Sequence, residues 1–216
     1  IKRMSVYSQT SDKYQKRLES LLFARANVEK NAVNKYKELN KIIGNGQDLK
    51  DTIIFTSDAQ IDEVLLMMSS KGILAHRFTQ SEGTAPEAKY FGKSERQYLI
   101  DKFKDGTYQV LVAIKCLDEG IDIPSASTAI LMASSTNPRE YIQRIGRVIR
   151  QASNKTRAHI YDFILEPNLE RFKNPEFVEL EKKIFDKEMN RVEDMSTNAI
   201  NNAEVLLAIS EKRGMF

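Results

Sequence analysis

The chain has 216 residues, of which 41% are hydrophobic and 29% charged. That balance suits a soluble globular chain of one domain with an appendage, or of two small domains, and excludes collagen-like and wholly disordered classes. Its 33 Lys and Arg against 30 Asp and Glu leave a net charge of +3, too small to identify a nucleic-acid partner unless the charges cluster. One Cys and two His exclude an intrachain disulfide and leave a structural zinc site short of ligands. No run approaches the roughly 18 apolar residues of a membrane span, and no basic-then-apolar leader opens the chain. These features predict a cytoplasmic protein with no membrane contact. The first residue is Ile1 rather than Met, which leads us to expect a piece of a longer protein.

Three zones follow in chain order: 1–50, 51–166 and 167–216. In the first, Tyr14, Leu18, Leu21, Leu22, Val28, Tyr36, Leu39 and Ile43 recur at helical spacing, and Gly44-Asn45-Gly46 ends the pattern. One long helix or two shorter ones are predicted, serving as a linker or brace.

The second zone alternates short β-rich runs with helical segments. Strands are predicted at 52–56, 73–78, 110–113, 128–132 and 160–165. Helices are predicted at 61–68, from a Ser94 N-cap to Phe103, and from Asn137-Pro138 onward. Residues 80–92, with Gly83, Pro86 and Gly92, read as a long loop. Apolar strands alternating with helices predict a parallel sheet covered on both faces. Ligands of such sheets bind beyond the carboxyl ends of the strands, so the loops after Thr56, Ala113 and Ala133 are the first candidates for a site. In the third zone Phe177, Leu180, Ile184, Val192, Met195, Ala199 and Leu206 predict two helices, with Ser196 or Thr197 capping the second.

Residues 141–150 read Tyr-Ile-Gln-Arg-Ile-Gly-Arg-Val-Ile-Arg. At about 100° per residue, Tyr141, Ile142, Ile145, Val148 and Ile149 share one arc of roughly 120°, and Gln143, Arg144, Arg147 and Arg150 share the opposite one. Gly146 lies between them, where a missing side chain permits close approach. Three guanidinium groups with no acid among them suit phosphate oxygens. A solvated basic face paired with acids elsewhere is the alternative. Residues 110–124 run from an apolar strand into a loop with Asp118, Glu119, Gly120, Asp122 and Pro124. These carboxylates fit helix caps or hydroxyl acceptors better than a metal site or an acid–base pair, since no His joins them.

Together these segments resemble motifs V and VI of superfamily-two helicases. Residues 112–124 resemble motif V in the form ending Glu-Gly-Ile-Asp-Ile-Pro. Residues 143–150 match the Gln-Arg-x-Gly-Arg-x-x-Arg form of motif VI. Residues 53–56 resemble the motif IV strand. Ser94-Glu95-Arg96, followed by Phe103-Lys104-Asp105-Gly106, resembles the usual segment before motif V. The resemblance covers roughly 51–166 and is nearest to excision-repair helicases and the motor subunits of type I and III restriction enzymes. Gln143, where the DEAD-box branch prefers His, favours a DNA translocase.

The resemblance implies an α/β fold with a RecA-like parallel sheet, helices on both faces and helical segments at either end. It implies a second motor domain sharing ATP with a first RecA-like domain of the same full-length chain. Arg147 and Arg150 would be arginine fingers. Gln143 and Arg144 would couple the nucleotide to the domain interface. Asp122 would accept a hydrogen bond from the ribose or from a motif VI arginine, and Gly120 would let the backbone pass close to the nucleotide. Thr56, Ser57, Ile114 and Lys115 would line a nucleic-acid track. Ile114 stands where many relatives carry a Thr whose hydroxyl meets a phosphate, so a backbone amide, Lys115 or Ser57 would have to take that role.

The sequence contains no Gly-x-x-x-x-Gly-Lys-[Ser/Thr] loop and no Asp-Glu-x-His box. Both belong to the first domain of the family, which would also hold Mg. The 216 residues alone are therefore expected to hydrolyse no ATP. A non-catalytic scaffold or nucleic-acid-binding module that retains the fold is the competing class. An unrelated nucleotide-binding α/β protein would need a phosphate loop of its own.

Overall fold

The computed structural model describes residues 15–17, 19–21, 23–46, 49–114, 123, 126–133, 146 and 155–215. Among the described residues of the first zone, 15–17, 19–21 and 23–30 are helical, and a break at 31–33 separates them from helix α1 (Asn34–Ile43). Gly44 ends α1 with a positive φ of 49°, and its N–H donates to Asn40 O at 3.2 Å.

The sheet is built from β1 (Thr52–Phe55), β2 (Ala75–Phe78), β5 (Val110–Ala113), β6 (Thr128–Leu131) and β7 (His159–Asp162). Their order is β2-β5-β1-β6-β7, and every pairing is parallel. All four residues of β1 and of β5 are buried. That explains their unbroken apolar runs: a central parallel strand has no face left for water.

The two faces bury different residues, as the strand period of two requires. On one face Ile53, Phe55, Leu111, Ala113, Ala129 and Leu131 meet Leu99, Ile100 and Phe103 of α3 (Glu95–Lys104). On the other, Ile54, Val110, Val112, Ile130 and Met132 meet Leu39 and Ile43 of α1 and Ile61, Val64 and Met68 of α2 (Ile61–Ser70). Helix α1 therefore packs into the core of the sheet. Ser94 caps α3, its hydroxyl accepting from Gln97 N at 3.2 Å.

Two local expectations are corrected. The segment 80–92 is not one long loop. It contains strand β3 (Pro86–Glu87), a 3₁₀ turn (Ala88–Tyr90) and the start of an antiparallel pairing with β4 (Lys93–Ser94). Ser196 and Thr197 do not cap the final helix. They end α4 (Pro175–Ser196), both hydroxyls donating back to Glu193 O, and α5 (Asn202–Gly214) starts after Asn201. Asn202 instead reaches back, its Nδ2 donating to Ser196 O at 2.9 Å. Phe185 and Met189 of α4 pack with Ile209 of α5. Among the described residues no helix is long and apolar enough to cross a membrane.

Candidate functional site

The carboxyl ends of β5, β1 and β6 meet at one rim, because the ladder runs a residue beyond each strand. Thr56 N donates to Ala113 O at 2.9 Å, and Met132 N and Ala133 N both donate to Phe55 O at 3.0 Å. Ile114 N donates to Phe78 O at 3.2 Å. The three loops singled out in the sequence thus leave the sheet side by side.

Thr56 and Ser57 are both buried. The Thr56 hydroxyl has no hydrogen-bond partner among the described residues, a state that costs on the order of 1–3 kcal/mol for a buried group. The Ser57 hydroxyl is committed to Asn31 Oδ1 at 2.5 Å. Ile114 is half-buried, with its side chain against the α1–α2 core. Lys115, Gly120, Asp122, Gln143, Arg144, Arg147 and Arg150 lie outside the described residues. Gly146 is helical, and a Cβ built there would meet no described atom within 4 Å. Nothing described packs closely enough to require glycine at that position. Among the described residues, no group of three His, Cys, Asp or Glu side chains could hold a metal ion.

Behind the rim lies a polar network that the sequence reading did not single out. Gln60 is fully buried, with Oε1 accepting from Ser57 N at 3.0 Å and Nε2 donating to Lys30 O at 3.0 Å. Lys35 is 5% exposed, and its Nζ donates to Met132 O at 2.8 Å and to Lys30 O at 3.3 Å. The segment before α1 is thereby fastened to the loops after both β1 and β6. A signal for half of this was present: Ser57-x-x-Gln60 before the apolar run 61–68 is a capping-box pattern, in which the Gln side chain turns back to the Ser N–H.

Burial pulls the Lys35 amine down from 10.5 to about 8, although Asp162 and Glu188 oppose the shift. Burial also raises the Asp162 carboxyl, against the pull of Arg191. Arg191 of α4 donates to Asp162 at the end of β7 and to Glu188 at 2.7 Å. A cavity of about 480 Å³ opens beside this cluster, lined by Phe23, Val28, Lys35, Phe163, Ile184 and Phe185 among others.

An all-parallel five-stranded sheet with helices on both faces, in which β5, β1 and β6 end side by side, defines an α/β domain of the RecA-like kind. The profile of the family described as "Helicase conserved C-terminal domain" matches residues 34–152. The chain belongs to that family, and with it to the superfamily-two helicases.

A DNA 3'-5' translocase XPB2 of Sulfurisphaera tokodaii is 31% identical over 125 residues, 58% of this chain and 25% of the relative. Putative helicase 22 of a Sulfolobus islandicus filamentous virus is 29% identical over 143 residues, 66% of this chain and 23% of the relative. An ATP-dependent RNA helicase dbp8 of Aspergillus clavatus is 30% identical over 105 residues, 49% of this chain and 18% of the relative. The chain thus spans a quarter or less of the length of these relatives. Among solved structures, the C-terminal domain of the DEAD-box protein Dbp5 has a TM-score of 0.49 at 24% identity, covering 72% of this chain and 81% of that one.

Proposed function

We propose that this chain is the second motor domain of an ATP-dependent translocase that works on DNA. The carrying observation is the complete Gln143-Arg144-x-Gly146-Arg147-x-x-Arg150 pattern within a chain of the helicase C-terminal family. A first motor domain would hold ATP and Mg, and hydrolysis, in which water takes the γ-phosphoryl group and ADP leaves, would drive movement. Arg147 and Arg150 neutralise charge that develops on the γ-phosphate oxygens, a contribution of about 10³-fold or more in rate. Gln143 and Arg144 tie the nucleotide to the interface between the two motor domains. Asp122 accepts a hydrogen bond from the ribose or from a motif VI arginine, and Gly120 leaves room for the nucleotide beside the backbone. The donor set suits this role: residues 143–150 carry three guanidinium groups, a chemistry matched to phosphate oxygens, and no carboxylate for a metal.

The loops after β1 and β5, with Thr56, Ser57, Ile114 and Lys115, form part of the track for the nucleic-acid backbone, which requires no base reading. The Thr56 hydroxyl, which has no partner among the described residues, supports this as a donor at the rim of the sheet. Ser57, its hydroxyl held by Asn31, contributes position more than a direct contact. Gln143 in place of His, and the likeness to a protein named as a DNA translocase, favour DNA over RNA.

The test uses Arg147→Ala and Arg150→Ala in the full-length protein. ATP turnover should fall by about 10³-fold while DNA affinity stays within a few-fold. Turnover that survives both changes refutes the finger assignment. ATP hydrolysis by these 216 residues without a first domain refutes the shared site.

A further inference from the structure

The hairpin that leaves the carboxyl end of the edge strand β2 carries an exposed aromatic surface that the motor function does not use. Phe91 is 85% exposed. It sits at φ 57° and ψ 37°, in the left-handed region, and Gly92 follows at φ 77°. A left-handed turn is easy for Gly or Asn and unfavourable for an aromatic residue, so such an outlier at a surface tip points to use. The Phe91 ring lies 6.4 Å from that of Tyr98, and the Tyr90 ring 5.3 Å from it, each tilted by 31–35°.

The surface is held in place. Glu95 in the first turn of α3 accepts from the Tyr90 hydroxyl at 2.6 Å and from Gly83 N at 3.0 Å. Gly92 N closes the hairpin on Glu87 O at 3.1 Å. Amines border the rings, with Lys89 Nζ 4.7 Å from the Tyr90 centroid and Lys102 Nζ 5.8 Å from that of Tyr98. Lys89, Lys93 and Lys102 pair with Glu87, Asp101 and Asp105 in exposed ion pairs. Such pairs contribute little, and phosphate can displace the carboxylates.

We propose that Phe91, backed by Tyr90 and Tyr98, is a stacking platform for a base of single-stranded nucleic acid, with the surrounding amines meeting the adjacent phosphates. Rings beside exchangeable amines are the combination that binds single strands without reading sequence. The platform lies on the connection that leaves the carboxyl end of β2, the end of the sheet that also carries Thr56 and Ile114. This inference rests on the nucleic-acid role proposed above.

The chain has no Trp, so Phe91→Trp places a sole reporter on the platform. Its fluorescence should be quenched by oligothymidylate and not by an abasic strand of equal length. Phe91→Gly relieves the left-handed strain; it should keep or raise Tm while weakening oligothymidylate binding about tenfold. Wild-type affinity in Phe91→Gly, or equal quenching by the abasic strand, overturns the platform alone. Loss of binding together with a clear drop in Tm makes Phe91 structural and also overturns it. Unchanged nucleic-acid affinity with loss of a protein partner makes the rings a protein-docking patch. Failure of the wild-type chain to bind oligothymidylate at all removes both the platform and the track.

Discussion

Lys35 Nζ donates to the carbonyl oxygen of Met132 at 2.8 Å, joining α1 to the end of β6 across 97 residues of sequence. The charges around this amine are Asp162 on β7, Glu188 and Arg191 on α4, and Glu29 in the helical stretch before α1. Burial outweighs them and lowers the amine from 10.5 to about 8. The folded state therefore binds this proton less tightly than the unfolded state does. Below about pH 8 both states are protonated and the full penalty applies. As pH rises from about 8 to 10.5 the penalty is relieved and stability increases. We expect urea unfolding of the wild type to gain up to about 3 kcal/mol across that window relative to Lys35→Met. Parallel pH profiles for the two proteins would contradict the depressed amine.

Asp162 and Arg191 form an ion pair whose side chains are 8% and 4% exposed. A buried pair is costly to break from one side, because the remaining charge stays in the core without its partner. Arg191→Met should destabilise the fold by about 3–5 kcal/mol, and Asp162→Asn by a comparable amount. The double variant should lose clearly less than the sum of the two. Additive losses in chemical denaturation would mean that the two side chains stabilise independently.

The sheet was legible in the sequence wherever a strand is buried on both faces. The runs at 52–56 and 110–113 contain no alternation to misread; the first strand ends one residue earlier, at Phe55, and the second has the predicted bounds. Ser94 was legible as a cap for the same local reason: its partner, Gln97 N, is three residues away. The hairpin at 86–94 was not, because two-residue strands carry no period and Pro86 and Gly92 read as loop. Ser196 and Thr197 misled because a hydroxyl beside a helix break can serve either end, and here both turn back to Glu193. In the candidate site, the loops after Thr56, Ala113 and Ala133 were legible from topology. Lys35, Gln60 and Asn31 were not singled out, since two of Lys35's acceptors and one of Gln60's are backbone carbonyls, and carbonyls carry no side-chain signal. The arginine pattern of 144–150 is legible from sequence and lies outside the described residues apart from Gly146.

Arg25 links the N-terminal helical stretch to α4. Its Nη2 donates to Glu181 Oε2 at 2.8 Å and its Nε to Oε1 at 3.3 Å, a two-point contact, and its Nη1 lies 2.8 Å from Glu29 Oε1. The Arg25 and Glu181 side chains are 29% and 19% exposed, so the pair is partly shielded from solvent. Glu181→Gln should cost about 1 kcal/mol. The larger effect should be local: amide hydrogen exchange across 23–30 should accelerate while exchange in β1 and β5 stays slow. Uniform acceleration through the sheet would show that the clamp supports global stability instead.

Gly44 and Gly46 flank the same turn but make different demands on it. Both have positive φ, 49° and 76°. At Gly44 a Cβ would meet nothing within 4 Å, so Gly44→Ala should incur only the backbone cost, which at φ 49° and ψ −127°, outside the left-handed helical region, is about 1–3 kcal/mol. At Gly46 a Cβ would lie 2.7 Å from Ile73 Cγ1 and 2.8 Å from Cδ1. Ile73 is 4% exposed and belongs to the core beneath α1 and α2, so its side chain has little room to withdraw. Gly46→Ala should therefore cost about 2–4 kcal/mol, the backbone strain added to overpacking. Adding Ile73→Val, which removes the crowding Cδ1, should restore part of that loss in the double variant. No rescue by Ile73→Val in urea denaturation would show that backbone conformation alone, and not the approach of Ile73, requires glycine at 46.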